Sequence, residues 1–373
     1  AQCGDDLGQN SINGECERHG TLSGNPKVPP RGKDDSRGMD IFAPARKRCA
    51  MNVSDLATRI SAGERRALAQ AITLVESGRA DHRAQAAELL AALPADRQAL
   101  RIGLSGTPGV GKSTFIESFG LMLTGQGKRV AVLAVDPSSA RSGGSILGDK
   151  TRMDFLARDP NAFIRPSPSQ THLGGVARRT REAVRLCEAA GFDVVLIETV
   201  GVGQSETVVA EMSDLFLLLL APAGGDELQG VKRGIMEMAD VILVNKADGD
   251  LKATAMRTCA DYAGALRLLR KRPQDPEGYP CAMTVSALHE EGLAVAWETL
   301  QRLSDWRRAA GFWDKTRAEQ ARYWFHEDVK QRLLARLSEP TVKAALEALS
   351  AQVAAGKADP TAAAQAFVEE LGN

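Results

Sequence analysis

The chain has 373 residues, 43% hydrophobic and 25% charged, the make-up of a globular protein with room for one large domain or two to three smaller ones. Its 47 Lys+Arg balance 47 Asp+Glu, which excludes a polycation that would bind nucleic acid or an acidic membrane by bulk charge. The longest apolar run, Leu215 to Ala221, is far short of the roughly 20 residues that a spanning helix requires, so neither nucleic acid nor membrane is an expected partner.

Residues 1–50 hold seven Gly, four Pro and few large apolar side chains, with acids and bases mixed. Such a segment cannot bury enough surface to offset its ordering entropy, and it is not the Arg-rich, acid-poor stretch of a transit peptide. It reads as a disordered, non-native leader, with a start expected at Met51 or Met39. The six cysteines, Cys3, Cys16, Cys49, Cys187, Cys259 and Cys281, form no CxxC pair, and the five histidines lack zinc-helix spacing. They read as isolated buried thiols of a cytoplasmic protein.

Residues 51–98 follow a helical rhythm. Ser54 is a candidate cap for a first helix. Leu68, Ala71, Ile72 and Val75 recur on one face of a second. Asp81 is a candidate cap for a third, which carries Leu89, Leu90 and Leu93 and stops at Pro94. These faces are too few for a core of their own, so the unit must dock on something. From residue 99 to 290 the rhythm is strand, turn, helix. Apolar runs at Ile102–Leu104, Val130–Val135, Val194–Ile197, Leu215–Leu220, Val241–Val244 and Ala282–Val285 alternate with amphipathic stretches. That pattern predicts an α/β fold, a mainly parallel sheet flanked by helices on both faces. Residues 291–373 read as a C-terminal helical arm. All four tryptophans, Trp297, Trp306, Trp313 and Trp324, fall there with Phe312, Tyr323 and Phe325. Two readings stand side by side: the aromatics pin the last helices to the sheet, or they bury against a second copy of the chain.

The first strand runs into Gly106-Thr-Pro-Gly-Val-Gly-Lys-Ser-Thr114, a G-x-x-x-x-G-K-S motif between a predicted strand and a predicted helix. Phosphate oxygens require backbone N–H donors at close approach, which Gly109, Val110 and Gly111 can supply, and the helix opening at Lys112 adds its positive end. Lys112 is assigned to the β/γ-phosphates, Ser113 to Mg²⁺, and Thr114 to the same phosphate cradle.

A strand end followed by Asn245-Lys246-Ala247-Asp248 reads guanine rather than adenine. The Asp248 carboxylate can accept from the ring N1–H and the 2-amino group, and adenine would leave it unpaired. Lys246 is expected over the base, and Asn245 is expected to tie this loop to the phosphate loop. Ser286, Ala287 and Leu288 form a further strand-end loop suited to backing the base. GTP and GDP are therefore the expected ligands.

The strand Val194–Ile197 ends in Glu198-Thr199-Val200-Gly201, a D-x-x-G element with Glu for Asp. Glu198 and Asp136, at the end of the strand after the phosphate-loop helix, are candidate ligands of the Mg²⁺ shell. Glu198 follows Lys112 by 86 positions, which points to the class of P-loop proteins that includes signal-recognition and metal-insertion GTPases. No glutamine follows Gly201 directly (Gln204 comes three residues later), so slow intrinsic turnover is expected.

Taken together, Gly106–Thr114, Val135–Ser139 through Gly148–Met153, His172–Ala177, Glu198–Glu206 and Gly224–Gly230 with Lys232 resemble the methylmalonyl-CoA mutase-associated GTPases, the MeaB group, once also filed as ArgK-type kinases. The resemblance runs from about residue 51 to the end. It implies a P-loop GTPase that acts as a G-protein chaperone, coupling GTP hydrolysis to adenosylcobalamin loading and protection of methylmalonyl-CoA mutase or a related acyl-CoA mutase. It implies a homodimer joined through C-terminal helices, with adenosylcobalamin met only through the partner enzyme. It further implies that Asp149, within a Pro137–Met153 switch, and Gln229 and Lys232, in a second switch, serve catalysis. The Gly-Gly pair at 224–225 suits a moving segment. His172 is read as a loop residue beside Gly174-Gly175 that caps a helix over Val176–Ala190, not as a cobalamin ligand. Two alternatives use the same cradle: a small-molecule kinase, for which neither acceptor pocket nor base is identifiable, and a metal-insertion GTPase, which the cysteine spacing does not suit.

Overall fold

The computed structural model describes residues 52–135, 153–166, 173–199, 205–222 and 233–372. Among them a seven-stranded, wholly parallel sheet has the order β3-β2-β4-β1-β5-β6-β7. The strands are β1 (Leu100–Ser105), β2 (Val130–Val135), β3 (Ala162–Arg165), β4 (Val194–Thr199), β5 (Leu215–Leu220), β6 (Val241–Val244) and β7 (Cys281–Thr284). Strands buried on both faces carry unbroken apolar runs, and β5 is buried along its whole length. One expectation fell short: β3 pairs only with β2 at the sheet edge, and its four residues carry no apolar run long enough to signal a strand.

Strand alternation divides the core. Ala131, Leu133, Val195, Ile197, Phe216 and Leu218 point to one face; Val130, Val132, Val194, Leu196, Leu215 and Leu217 point to the other. On the first face lie α1 (Val53–Ser61), α2 (Arg65–Glu76), α3 (Ala80–Ala92) and α6 (Leu173–Ala189). The second is covered by α4 (Lys112–Gly125), the short α5 (Asp154–Arg158) and α10 (Leu293–Ala309). On the first face too, α7 (Ser205–Ala210), α8 (Arg233–Met238) and α9 (Lys252–Arg267) complete the crossovers, with Val209, Tyr262 and Leu266 joining its core.

The N-terminal helices dock as their patterns require. Leu68, Ala71, Ile72 and Val75 are buried, and α2 packs on α6. Each large side chain so buried contributes about 2 kcal/mol. The caps differ from expectation. Asn52, not Ser54, caps α1: its side chain accepts the Asp55 N–H at 3.2 Å, while Ser54 already lies inside the helix. Asp81 sits in the first turn of α3 and pairs with Arg79 instead of capping.

The C-terminal elements are α10, α11 (Phe312–Arg336), α12 (Pro340–Ala354) and α13 (Pro360–Gly372). Trp297 and Trp313 enter the core of the second face and Trp324 that of the first, so three of the four tryptophans anchor these helices within the chain. Tyr323 and Phe325 stay exposed. No helix of the described residues is long and apolar enough to cross a membrane. Cys187 is buried, Cys259 and Cys281 half-buried, and all three are free thiols. Burial pushes the Cys281 thiol up to about 11.

Charge fixes α10 and α11 to the amino ends of the strands. The Arg307 guanidinium, 8% exposed, donates to Asp240 at 2.6 Å, Asp275 at 2.8 Å and the Asp214 carbonyl at 2.8 Å. Burial would lower its pKa, but the charges and hydrogen bonds of Asp240 and Asp275 outweigh burial and hold it above the ordinary arginine value. Arg272 closes the set on Asp240 at 2.7 Å and Asp275 at 2.5 Å, and Asp240 also accepts the Phe216 N–H at 2.8 Å. Removing one member strands the others. Asp240→Ala is expected to cost about 3–5 kcal/mol in urea unfolding, whereas Lys343→Ala, at an exposed helical pair, should cost under about 0.5 kcal/mol.

Candidate functional site

The chain leaves β1 toward β2 on one side and later passes through β4 to β5 on the other, so strand order reverses around the carboxyl end of β1. Crevices at such a point are where open α/β sheets bind ligands. Ser105 pairs in register with Leu218, and Val135 with Thr199, which brings the ends of β1, β2, β4 and β5 to one rim. The Thr199 hydroxyl donates to the buried Ser105 hydroxyl at 3.1 Å and clips β4 to the root of the phosphate loop.

From Ser105 the backbone turns through residues 106–111 into α4. Gly109 and Gly111 both take positive φ, +86° and +91°, and the Gly111 carbonyl accepts the Phe115 N–H at 2.9 Å as the helix begins. A side chain at Gly111 would place Cβ 2.7 Å from the Asn245 amide nitrogen, and one at Gly106 would meet the Leu219 carbonyl at 2.5 Å. Backbone geometry and close approach therefore both demand glycine at 111. The Lys112 ammonium lies across the loop, donating to the carbonyls of Gly106 at 2.7 Å and Thr107 at 3.3 Å. Ser113 occupies the first turn of α4, partly exposed, with Thr114 exposed beside it.

The loop after β6 is joined to this cradle by two side chains. The Asn245 amide, 2% exposed, donates to the Val110 carbonyl at 2.9 Å and accepts the Ala287 N–H at 3.0 Å. Lys246 adopts the left-handed region at φ 58°, uncommon for a residue with a side chain, and its ammonium donates to the Gly109 carbonyl at 2.8 Å. Ser286, fully buried, donates its hydroxyl to Asp248 and accepts the His289 N–H at 3.2 Å. That leaves Asp248, half-buried, with its other carboxylate oxygen. Leu288 is 72% exposed at the tip of the same loop.

Glu198 is buried near the end of β4, level with Leu104 of β1 and Ala134 of β2. Gly109, Val110 and Gly111, the first turn of α4 with Lys112, Ser113 and Thr114, and the loops carrying Asn245, Lys246, Asp248, Ser286, Ala287 and Leu288 thus meet around the carboxyl end of β1, with Glu198 near the end of neighbouring β4. Asp136, Asp149, Gln229 and Lys232 lie outside the described residues, as do His172, Gly201 and Gln204. Ser118 was missed from sequence. Its hydroxyl donates to the Ala287 carbonyl at 2.7 Å, a link from α4 to the base loop across a separation that no local pattern signals.

Comparison with known proteins gives this crevice its class. The family model described as "Methylmalonyl Co-A mutase-associated GTPase MeaB" matches residues 68–341. The chain belongs to the MeaB family of GTPases. A protein of Caulobacter vibrioides described as a putative GTPase is 53% identical over 325 residues, 87% of this chain and 99% of that one. The mitochondrial methylmalonic aciduria type A homolog of Mus musculus is 47% identical over 329 residues, covering 85% of this chain and 79% of its own. GTPase ArgK of Escherichia coli is 49% identical over 280 residues, 75% and 84% of the two chains. A solved structure titled "LAO/AO transport system kinase" superposes with a TM-score of 0.66 at 36% identity, over 86% of this chain and 98% of that one. The MeaB-family chain is therefore a P-loop GTPase that binds guanine nucleotide and hydrolyses GTP.

The two glycines make separable demands. Gly109 has open space for a Cβ, so Gly109→Ala carries backbone strain alone, about 1–2 kcal/mol in unfolding of the nucleotide-free protein. Gly111→Ala adds the clash that displaces Asn245. It should cost more than Gly109→Ala in the same urea titration.

Proposed function

We propose that this GTPase is a chaperone of an adenosylcobalamin-dependent acyl-CoA mutase, methylmalonyl-CoA mutase in the first place, and that it spends GTP hydrolysis on cofactor loading and protection of that enzyme. The observation that carries the nucleotide half of this reading is Asn245, which holds the phosphate loop and the base loop as one body. The partner half is supported by the family description and by relatives that are methylmalonic aciduria type A homologs.

In this reading Gly109, Val110 and Gly111 present N–H groups to the phosphates and Lys112 exchanges its carbonyl partners for phosphate oxygens. Ser113, Glu198 and Asp136 would hold Mg²⁺; a hydroxyl and two carboxylates are the hard oxygen donors it prefers. When bound, the ion neutralises charge on the β- and γ-phosphates. Asp248 takes the guanine edge, its orientation set by Ser286, with Lys246 and Leu288 beside the base and Ala287 behind it. Asp149, Gln229 and Lys232 are assigned to catalysis by the resemblance, on switches that respond to the mutase. Turnover without the mutase is slow.

We further assign residues 51–98 to a docking segment, 99–290 to the GTPase domain and 291–373 to an arm that pairs two copies, with residues 1–50 as a leader. The arm's outer face supports this. Phe325, Val329, Leu333 and Leu334 of α11 are exposed, and α12 buries none of its residues within the chain. The half-buried thiols suit a reducing cytoplasm.

Purified chain and mutase, mixed under GDP and under a non-hydrolysable GTP analogue, test the assignment. Complex formation that depends on the nucleotide and hydrolysis stimulated at least tenfold are expected; equal single-turnover rates with and without mutase overturn it. The kinase name of the solved relative sets the second reading. Labelled γ-phosphate recovered in a small acceptor, not as inorganic phosphate, would select it. For base recognition, Asp248→Asn is expected to lose GTP affinity by about 100-fold and gain affinity for xanthosine triphosphate, measured by competition against a fluorescent nucleotide.

A further inference from the structure

A second cavity, of about 420 Å³, lies at the amino end of the sheet, among α3, α6 and α11 and away from the phosphate loop. Six arginines line it. Four are committed. Arg83 holds Glu182 through two 3.0 Å bonds; Arg101 holds Glu188 at 3.0 and 3.1 Å. Arg317 holds Asp214, just outside the cavity, at 2.8 and 2.6 Å, and Arg332 holds Asp328 at 2.8 Å.

Arg181 and Arg185 are left over. They stand four residues apart on α6, so both project from one face of that helix, where like charges repel. Neither has a carboxylate within ion-pair distance among the described residues. The contact of Arg185 is a 3.5 Å approach to the Leu93 carbonyl, and Arg181 rests over the Trp324 ring at 5.4 Å. Burial lowers the Arg181 pKa, which marks the cost of keeping that charge there. Trp324 itself is 7% exposed, and its indole N–H has no acceptor among the described residues. Six guanidiniums line the cavity against three carboxylates, Glu182, Glu188 and Asp328; counting Asp214 as the partner that Arg317 holds from outside, two positive charges are left over, with Asp328 and Glu182 acting on Arg181 only at longer range. The rest of the wall is Ala87, Leu90, Val184, Met212 and Ala321, which are apolar, and Gln320, whose amide nitrogen donates to the Ser213 carbonyl at 2.8 Å.

We propose that this cavity binds a small organic phosphate. A dianionic head matches the two uncompensated guanidiniums, where a carboxylate would leave one unmatched. Guanidinium forks suit phosphate oxygens, and a planar or apolar body fits against Trp324, Leu90 and Met212. The volume lies within the range of small-ligand pockets. The site is distinct from the nucleotide crevice, because Arg101 enters at the start of β1 whereas the phosphate loop follows its end.

The probe is phenyl phosphate, titrated calorimetrically into the full chain already saturated with Mg²⁺ and GDP. One saturable site is expected in the wild type, weakened about tenfold or more in Arg181→Gln and again in Arg185→Gln, with benzoate binding more weakly than phenyl phosphate. GDP affinity and melting of the variants check that they fold. Arg181→Gln should melt at or above the wild type without probe, since it removes an uncompensated charge, and should lose the rise that phenyl phosphate gives the wild type. No saturable heat in the wild type, or an affinity unchanged in the double variant, overturns the proposal. If the probe fails to bind and the double variant instead shifts the monomer–dimer equilibrium in sedimentation, the charges serve an interface between copies and the proposal falls.

Discussion

The amide of Asn245 is the contact on which the nucleotide crevice depends. It is one side chain with a donor and an acceptor, and it uses both: the nitrogen on the phosphate loop, the oxygen on the loop after β7. Three loops from three strand ends thereby become one surface. In a buried position each such bond is worth only about 1 kcal/mol net, but an orphaned backbone group costs more than the bond returns. The absence of a side chain at Gly111 follows from this contact, since the amide nitrogen occupies the place a Cβ would take. Lys246 in its left-handed conformation follows too. It carries backbone strain, and its ammonium bond to Gly109 is part of what holds it there.

At the other end of the sheet the same problem is solved with charge. Arg307, Arg272 and Arg317 collect Asp240, Asp275, Asp214 and Glu188 into a nearly continuous network. Buried ion pairs are poor sources of net stability, because desolvation takes back most of the attraction. What they give here is position. Asp214 and Asp240 sit at the amino ends of β5 and β6; Arg307 of α10 and Arg317 of α11 read them, with Arg272 of the loop after α9 added on Asp240. The C-terminal helices can therefore pack on the sheet in one register only, with Trp313 stacked under Arg308 and Arg317 at 4.0 and 4.4 Å.

Legibility from sequence tracks the range of the physics. Of the six strands that were foreseen, β2, β4, β5 and β6 carry continuous apolar runs that are buried almost throughout, β1 is marked by the motif it leads into, and β7, partly exposed at the edge, by the run Ala282–Val285. β3 was not foreseen, because its apolar run, Ala162 to Ile164, is three residues closed by Arg165 and leads into no recognisable motif. The phosphate loop and the Asn245–Asp248 segment were legible because backbone chemistry forces particular residue types into consecutive positions. Ser118 was not, since its partner Ala287 is 169 residues away. The Arg307–Asp240 pair, 67 residues apart, was invisible for the same reason. Caps fell between these cases. Asn52, Ser54 and Asp81 are all chemically competent, and only the backbone angle of the residue before the helix decides among them.

The last helices carry two kinds of surface, and the difference separates what the chain needs for itself from what it offers. On α11, Trp313 and Trp324 face inward and are nearly covered, while Phe325, Val329, Leu333 and Leu334 face outward and are not. A helix that served only to close the fold would present polar residues there. α12 extends this: a 15-residue helix with no buried residue cannot be held by a core it does not touch. Helices of that length are marginal alone in water, and within the chain α12 packs against α13, which leaves its outer face open to the pairing of copies proposed above. Trp324 joins the two regimes, since it packs into the sheet's core and walls the arginine cavity at once. Any movement of α11 that a partner imposed would therefore be felt at Arg181 before it reached the strands.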